Sequence, residues 1–154
     1  MRYWLVKSEP STYGIDAMAR DRKTPWSGVR NYQARNFMRE MKVGDQAFFY
    51  HSSCEEPGIA GVVAVSAAAY PDETQFERKS EYYDAASKRD DPRWSQVDFK
   101  FVRKTPLIAL TELRKHKALA KMRVLQRGNR LSVVPVEPAE WRYVQRLMSQ
   151  QEAP

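Results

Sequence analysis

His51, Ser52 and Cys54 fall within four consecutive positions, and a Cys–His or Ser–His pair is the raw material of an activated nucleophile. The segment that carries them, QAFFYHS (46–52), reads as a strand. Neighbours on a strand point to opposite faces, so His51 does not readily face Ser52, and the plainer reading makes His51 a polar wall or a core histidine. Metal chemistry fares worse, because two histidines, His51 and His116, and one cysteine show no zinc-like spacing. There is neither a phosphate-binding glycine loop nor a GxSxG elbow. On these grounds no catalytic residue, metal or cofactor is assigned.

Aromatic and amide groups give the stronger signal. Trp26 lies in a loop, KTPWSG (23–28), where a core tryptophan is less expected. Directly after it, VRNYQARN (29–36) brings two Asn, two Arg, a Gln and a Tyr to the start of a helix. An Asn side chain offers a base edge both a donor and an acceptor. Free backbone N–H groups at a helix N-terminus favour a phosphate. The residues alone leave two readings open: Trp26 as a pocket wall or as a lid on the core, and Asn31 as a reader of a base edge or as the helix cap.

These groups need a frame. RYWLVKS (2–8) reads as a strand stopped by Glu9-Pro10, after which Ser11 or Thr12 caps a short helix to about Arg22. Ala34, Met38 and Met41 recur at helical spacing with Phe37 beside them, predicting a helix over 30–42 that Gly44 stops. Arg35, Arg39 and Lys42 share another face of it. Strands are predicted at 46–52 and 59–69, separated by the turn-like SCEEPG. Residues 71–94 read as a charged surface excursion with a short helix around Glu81–Ser87. VDFKFVRK (97–104) alternates as a half-buried strand, Thr111 caps a helix through LRKHKALAKM, 130–136 is a strand, and 138–148 an amphipathic helix with Pro138 at its first position. Strands outnumber helices without alternating regularly with them. The expected class is therefore α+β, a mostly antiparallel, barrel-like sheet with flanking helices. One domain covers 1–150, with 151–154 as a short tail.

Bulk composition supports this and limits the partners. With 154 residues, 42% of them hydrophobic and 12% aromatic, the chain can bury a sizeable core. No apolar run reaches membrane-spanning length, and the N-terminus enters a strand directly with no secretory leader pattern, so no membrane partner is expected. A single cysteine, Cys54, forms no internal disulfide and points to a reducing compartment, the cytoplasm or, in a eukaryote, the nucleus. Lys and Arg number 26 against 19 Asp and Glu, and the net charge of +7 favours a polyanion such as nucleic acid.

Four stretches, YWLVKSEP (3–10), WSGVRNYQARNFM (26–38), FYHS (49–52) and RLSVVPV (130–136), resemble in order and spacing the EVE domain, a PUA-like family related to YTH and ASCH domains. The resemblance implies a five- or six-stranded, barrel-like sheet and a cleft that receives a flipped base of DNA or RNA, with modified cytosine among the suspected ligands. It places Trp26 as the aromatic wall and Lys7 and Ser8 against the ligand's backbone or base edge. Ser27, Val29 and Asn31 become the polar floor, Tyr50, His51 and Ser52 the opposite wall, and Leu131 and Ser132 one closing side. Arg30, Arg35 and Arg39 are left for phosphates. The protein is thus expected to be a monomeric binding module with no cofactor. The alternative is an ASCH-like hydrolase of a modified base or nucleoside, with Lys7, Glu9 and His51 as its acid–base groups. A protein-interaction domain is the third reading, and it requires an exposed apolar patch.

Overall fold

Alternation in two neighbouring strands decides what lies on either side of the molecule. In a computed structural model, which describes residues 1–152, β1 (Tyr3–Ser8) runs parallel to β3 (Gln46–His51), pairing Val6 with Phe49 and Lys7 with Tyr50. One side carries Trp4, Val6, Ala47 and Phe49; the other carries Leu5, Phe48 and Tyr50. Each side is apolar, so each must be covered.

The first side is covered by α2 (Ile15–Asp21) through Ile15 and Met18, and by α3 (Tyr32–Glu40) through Ala34 and Met38. The single helix expected to reach Arg22 is two, α1 (Pro10–Tyr13) and α2, broken at Gly14 so that the Ile15 N–H turns toward His51. Neither Ser11 nor Thr12 caps a helix; Glu9 occupies that place, without a side-chain bond. α3 ends at Glu40 rather than at Gly44. The positive φ of Gly44, 96°, serves instead the turn into β3, where its N–H donates to the Val65 carbonyl.

The other side is covered by α4 (Leu110–Leu113), by 3-10 turns at Lys117–Leu119 and Arg123–Leu125, and by α5 (Pro138–Glu152). The helix expected through 113–122 does not form. Its buried residues, Leu113, Leu119 and Met122, are not spaced to share a helix face, and a string of turns seats all three where one straight helix would not. The expected tail begins inside α5, which runs to Glu152; Ala153 and Pro154 lie outside the described residues.

The remaining strands complete an open, mixed sheet of order β2-β5-β4-β3-β1-β6, with every pairing antiparallel except β1–β3. β4 (Gly58–Pro71) and β5 (Ser95–Ala109) form a long hairpin whose four register shifts bend the sheet. β2 (Lys23–Pro25), expected as loop, pairs on the outside of β5, an edge position that tolerates its proline. β6 (Val133–Val136) is shorter than the expected 130–136. The excursion between β4 and β5 contains a 3-10 turn at Glu73–Phe76 and no helix at 81–87. The α+β class holds, with the sheet curved but not closed.

Candidate functional site

The expected site residues gather at the ends of β1 and β3, but the sheet divides them. Lys7, Tyr50 and Ser52 line a cavity of about 380 Å³ on the side covered by α4 and the turns after it. Burial lowers the affinity of the Lys7 ammonium for its proton, and its backbone N–H donates to the Ser132 carbonyl at 2.8 Å. Ser8 and His51 belong to the other side. The Ser8 hydroxyl donates to the Tyr13 carbonyl at 2.6 Å, and His51 Nε2 accepts the Ile15 N–H at 3.1 Å, serving the first turn of α2. Burial lowers the His51 pKa, which matches an imidazole kept neutral as an acceptor. Lys7 and His51, two of the acid–base candidates, therefore face apart, and the third, Glu9, is exposed.

Trp26 requires a correction. It is 9% exposed and sits edge-on to Phe49 at 5.6 Å and to Phe99 at 5.4 Å, so it is a core residue rather than a free stacking wall. Its loop position misled because the loop is short and folds inward: the Trp26 N–H donates to the Val97 carbonyl, continuing the β2–β5 ladder. Val29 is likewise buried in the core and offers no polar floor, whereas Ser27 is exposed.

Arg30 also changes role. Its five N–H donors are directed to the carbonyls of Tyr82 (twice) and Val29, to the Asp72 carboxylate and to the Thr74 hydroxyl, which leaves none for a phosphate. Asp72, fully buried in the first turn of the excursion, accepts from the Gly28 N–H at 2.8 Å and from Arg30 at 3.1 Å. Burial alone would raise its pKa, but the Thr74, Gly28 and Arg30 donors outweigh that and hold it below the usual carboxylate range. Arg35 donates to Asn36 and to the Arg93 carbonyl. Arg39 donates to Ser95 and to the carbonyls of Pro92 and Arg93, so both clamp the excursion onto α3.

Asn31 is the N-cap of α3: its Oδ1 accepts from the N–H groups of Gln33 and Ala34 at 2.9 and 3.1 Å. Its amide N–H₂ group is not used in the cap. With Gln33 it lines a second cavity of about 420 Å³, closed on its far side by Arg127–Leu131. The segment around 127–129 lines both cavities and separates them.

That segment was not singled out from the sequence, although a signal was there. From Leu113 to Ser132 the chain has seven Lys and Arg and no Asp or Glu; the other 19 basic residues are balanced by the 19 acidic ones. The whole net charge of +7 thus lies in these twenty residues. All seven cations are exposed, and of them only Lys115 makes a salt bridge, to Glu112, among the described residues. No helix among the described residues is long and apolar enough to cross a membrane, and no cluster of three metal-ligating side chains occurs among them.

The family described as the EVE domain matches residues 2–147. Human thymocyte nuclear protein 1 is 47% identical over 161 residues, an alignment that covers 92% of this chain and 72% of that protein. The crystal structure of human THYN1 protein in complex with DNA containing 5-methylcytosine superposes with a TM-score of 0.90 at 43% identity, covering 100% of this chain and 99% of that one. A crystal structure of a protein from Pseudomonas putida gives a TM-score of 0.92 at 48% identity over 95% of this chain and 99% of its own.

Proposed function

The chain belongs to the EVE-domain family, and from that premise we propose that it binds nucleic acid and holds one modified base, a modified cytosine, in the cavity between Asn31 and the Arg127–Leu131 segment. The observation that carries this reading is the concentration of all the net positive charge in residues 113–132, of which 127–131 line that cavity. Exposed cations without acidic partners attract a phosphate backbone and release its counterions. The likeness to a protein solved with 5-methylcytosine DNA supports the choice of base.

The lining suits cytosine on chemical grounds. With Oδ1 engaged in the cap, Asn31 presents only N–H donors to the cavity, and Arg127 and Arg130 add more. Cytosine offers two acceptors, O2 and N3, to such a wall. Leu131 supplies an apolar surface on which a C5 methyl group can lie. Extracting a base from a duplex costs a few kcal/mol, so single strands are the easier substrate.

The test is a titration with labelled DNA and RNA strands carrying either 5-methylcytosine or cytosine at one position. The expected result is binding that weakens steeply as salt rises and that favours the modified strand. Binding indifferent to salt, or equal for both strands and abolished by no substitution around the cavity, overturns the reading.

A further inference from the structure

Tyr32 stands between Asn31 and Gln33, both of which line the 420 Å³ cavity, and its ring is 50% exposed. The ring is not loose. It stacks on Trp94 with centroids 4.9 Å apart and planes 24° apart, and Trp94 is itself buried, its indole N–H donating to Asp84 at 2.8 Å. Arg35 completes the setting: its guanidinium lies 4.7 Å from the Tyr32 centroid and 6.0 Å from that of Trp94, and it is pinned by the Arg93 carbonyl at 2.9 Å. With these three distances the guanidinium lies to the side of the axis that joins the two rings, and Tyr32 keeps half of its surface exposed.

A tyrosine needed only to fasten the excursion to α3 uses one face, and here the ring is held by Trp94 while half its surface meets solvent beside two residues that line a polar cavity. Ordering an aromatic ring in advance removes most of the entropic cost of stacking on it. Every nucleobase has a π-face, so such a platform takes any base that follows the one in the cavity.

Resting on the reading above, we infer that the outer face of Tyr32 is a second subsite, where the base adjacent to the modified one stacks without regard to its identity. The protein then recognises at least two successive nucleotides of an unstacked strand rather than an isolated base. The experiment compares wild type, Tyr32→Ala and Tyr32→Phe on two probes: a labelled single-stranded DNA with one central 5-methylcytosine, and 5-methyl-2′-deoxycytidine monophosphate. Tyr32→Ala is expected to weaken oligonucleotide binding by roughly 5- to 140-fold, the span usual for loss of one base–aromatic stack, while binding the mononucleotide as wild type does. Tyr32→Phe keeps the ring and is expected to stay within about twofold of wild type on both probes. A second measurement needs no variant: with 5-iodouracil beside the 5-methylcytosine, irradiation of the wild-type complex is expected to give an adduct that maps to Tyr32. Undiminished oligonucleotide binding by Tyr32→Ala, or an adduct that maps elsewhere, overturns the platform and leaves the proposed function standing. Failure of wild type to bind the oligonucleotide at all overturns both.

Discussion

Residues 26–39 and residues 113–132 meet around the same cavity, both are rich in arginine, and they treat their cations in opposite ways. In the first region Arg30 has every donor engaged, Asp72 anchors the loop from within, and Trp26 is wedged between Phe49 and Phe99. In the second, buried Leu119, Met122 and Val124 hold the backbone while seven exposed cations face water with a single acidic partner among the described residues. Counting charges or aromatics does not separate the two; asking what each group already touches does. The first region is a brace and the second is the surface on which a polyanion gains something.

The sharpest way to break this contrast lies in the brace. Trp26→Ala is expected to cost about 3–5 kcal/mol of stability in chemical denaturation, as for a large aromatic removed from a core. A variant that remains fully stable but loses ligand would return Trp26 to the role of pocket wall. Asp72→Ala is expected to cost about 3 kcal/mol, because it strips the partner from a half-buried arginine and from the Gly28 N–H together. On the other side of the comparison, Arg127→Gln with Arg130→Gln is expected to leave the melting temperature unchanged. The pair should lower the slope of log affinity against log salt by roughly 2, about one unit per phosphate contact. The pair Arg35→Gln with Arg39→Gln is expected to do the reverse, loosening the excursion and sparing most of the slope.

Asn31 belongs to both regions and permits a finer cut. Asn31→Ala is expected to cost about 1 kcal/mol of stability through the lost cap. Asn31→Ser keeps a capping oxygen and removes the amide donors, so its stability should match wild type while the preference for the modified base over other bases falls. The smallest effect concerns pH. Burial lowers the folded-state pKa of His51 below its ordinary value near 6.5, so the unfolded chain takes up the proton first. Its contribution is therefore complete above pH 6.5 and declines as pH falls toward the folded-state value. Between pH 7.5 and 5 the melting temperature of wild type should drop more than that of His51→Gln, and equal drops would show that the Ile15 contact is not coupled to the proton.

Most of the frame could be read from the residues, because alternation and helical spacing report on burial directly. The strands at 3–8, 46–51 and 97–104 and the helix that Asn31 caps are of this kind. What could not be read depends on contacts between distant segments. β2 exists only because β5 offers Lys23 and Thr24 edge partners in Lys100 and Phe99, and the series of turns after Leu113 follows the shape of the apolar face beneath it. The site was legible as a neighbourhood and not as a list. Lys7 and Tyr50 pair across β1 and β3 as neighbours of Ser8 and His51, and strand parity sends the two pairs to opposite sides. Arg30 and Trp26 look available in sequence because Asp72, Phe99 and Tyr82, which occupy them, lie more than forty residues away.

The position of β1 between β3 and β6 bears on the order in which the chain assembles. Tyr3 pairs with Val136, so β1 waits until β6 has been made before one of its edges is satisfied. Until then Leu5 and Val6 present an unpaired apolar edge, the kind that templates aggregation. Pairing so distant raises the contact order and slows the final closure. Folding of this domain therefore completes only after synthesis has passed β6, and a chain arrested near residue 130 is a substrate for chaperones rather than a smaller version of the fold.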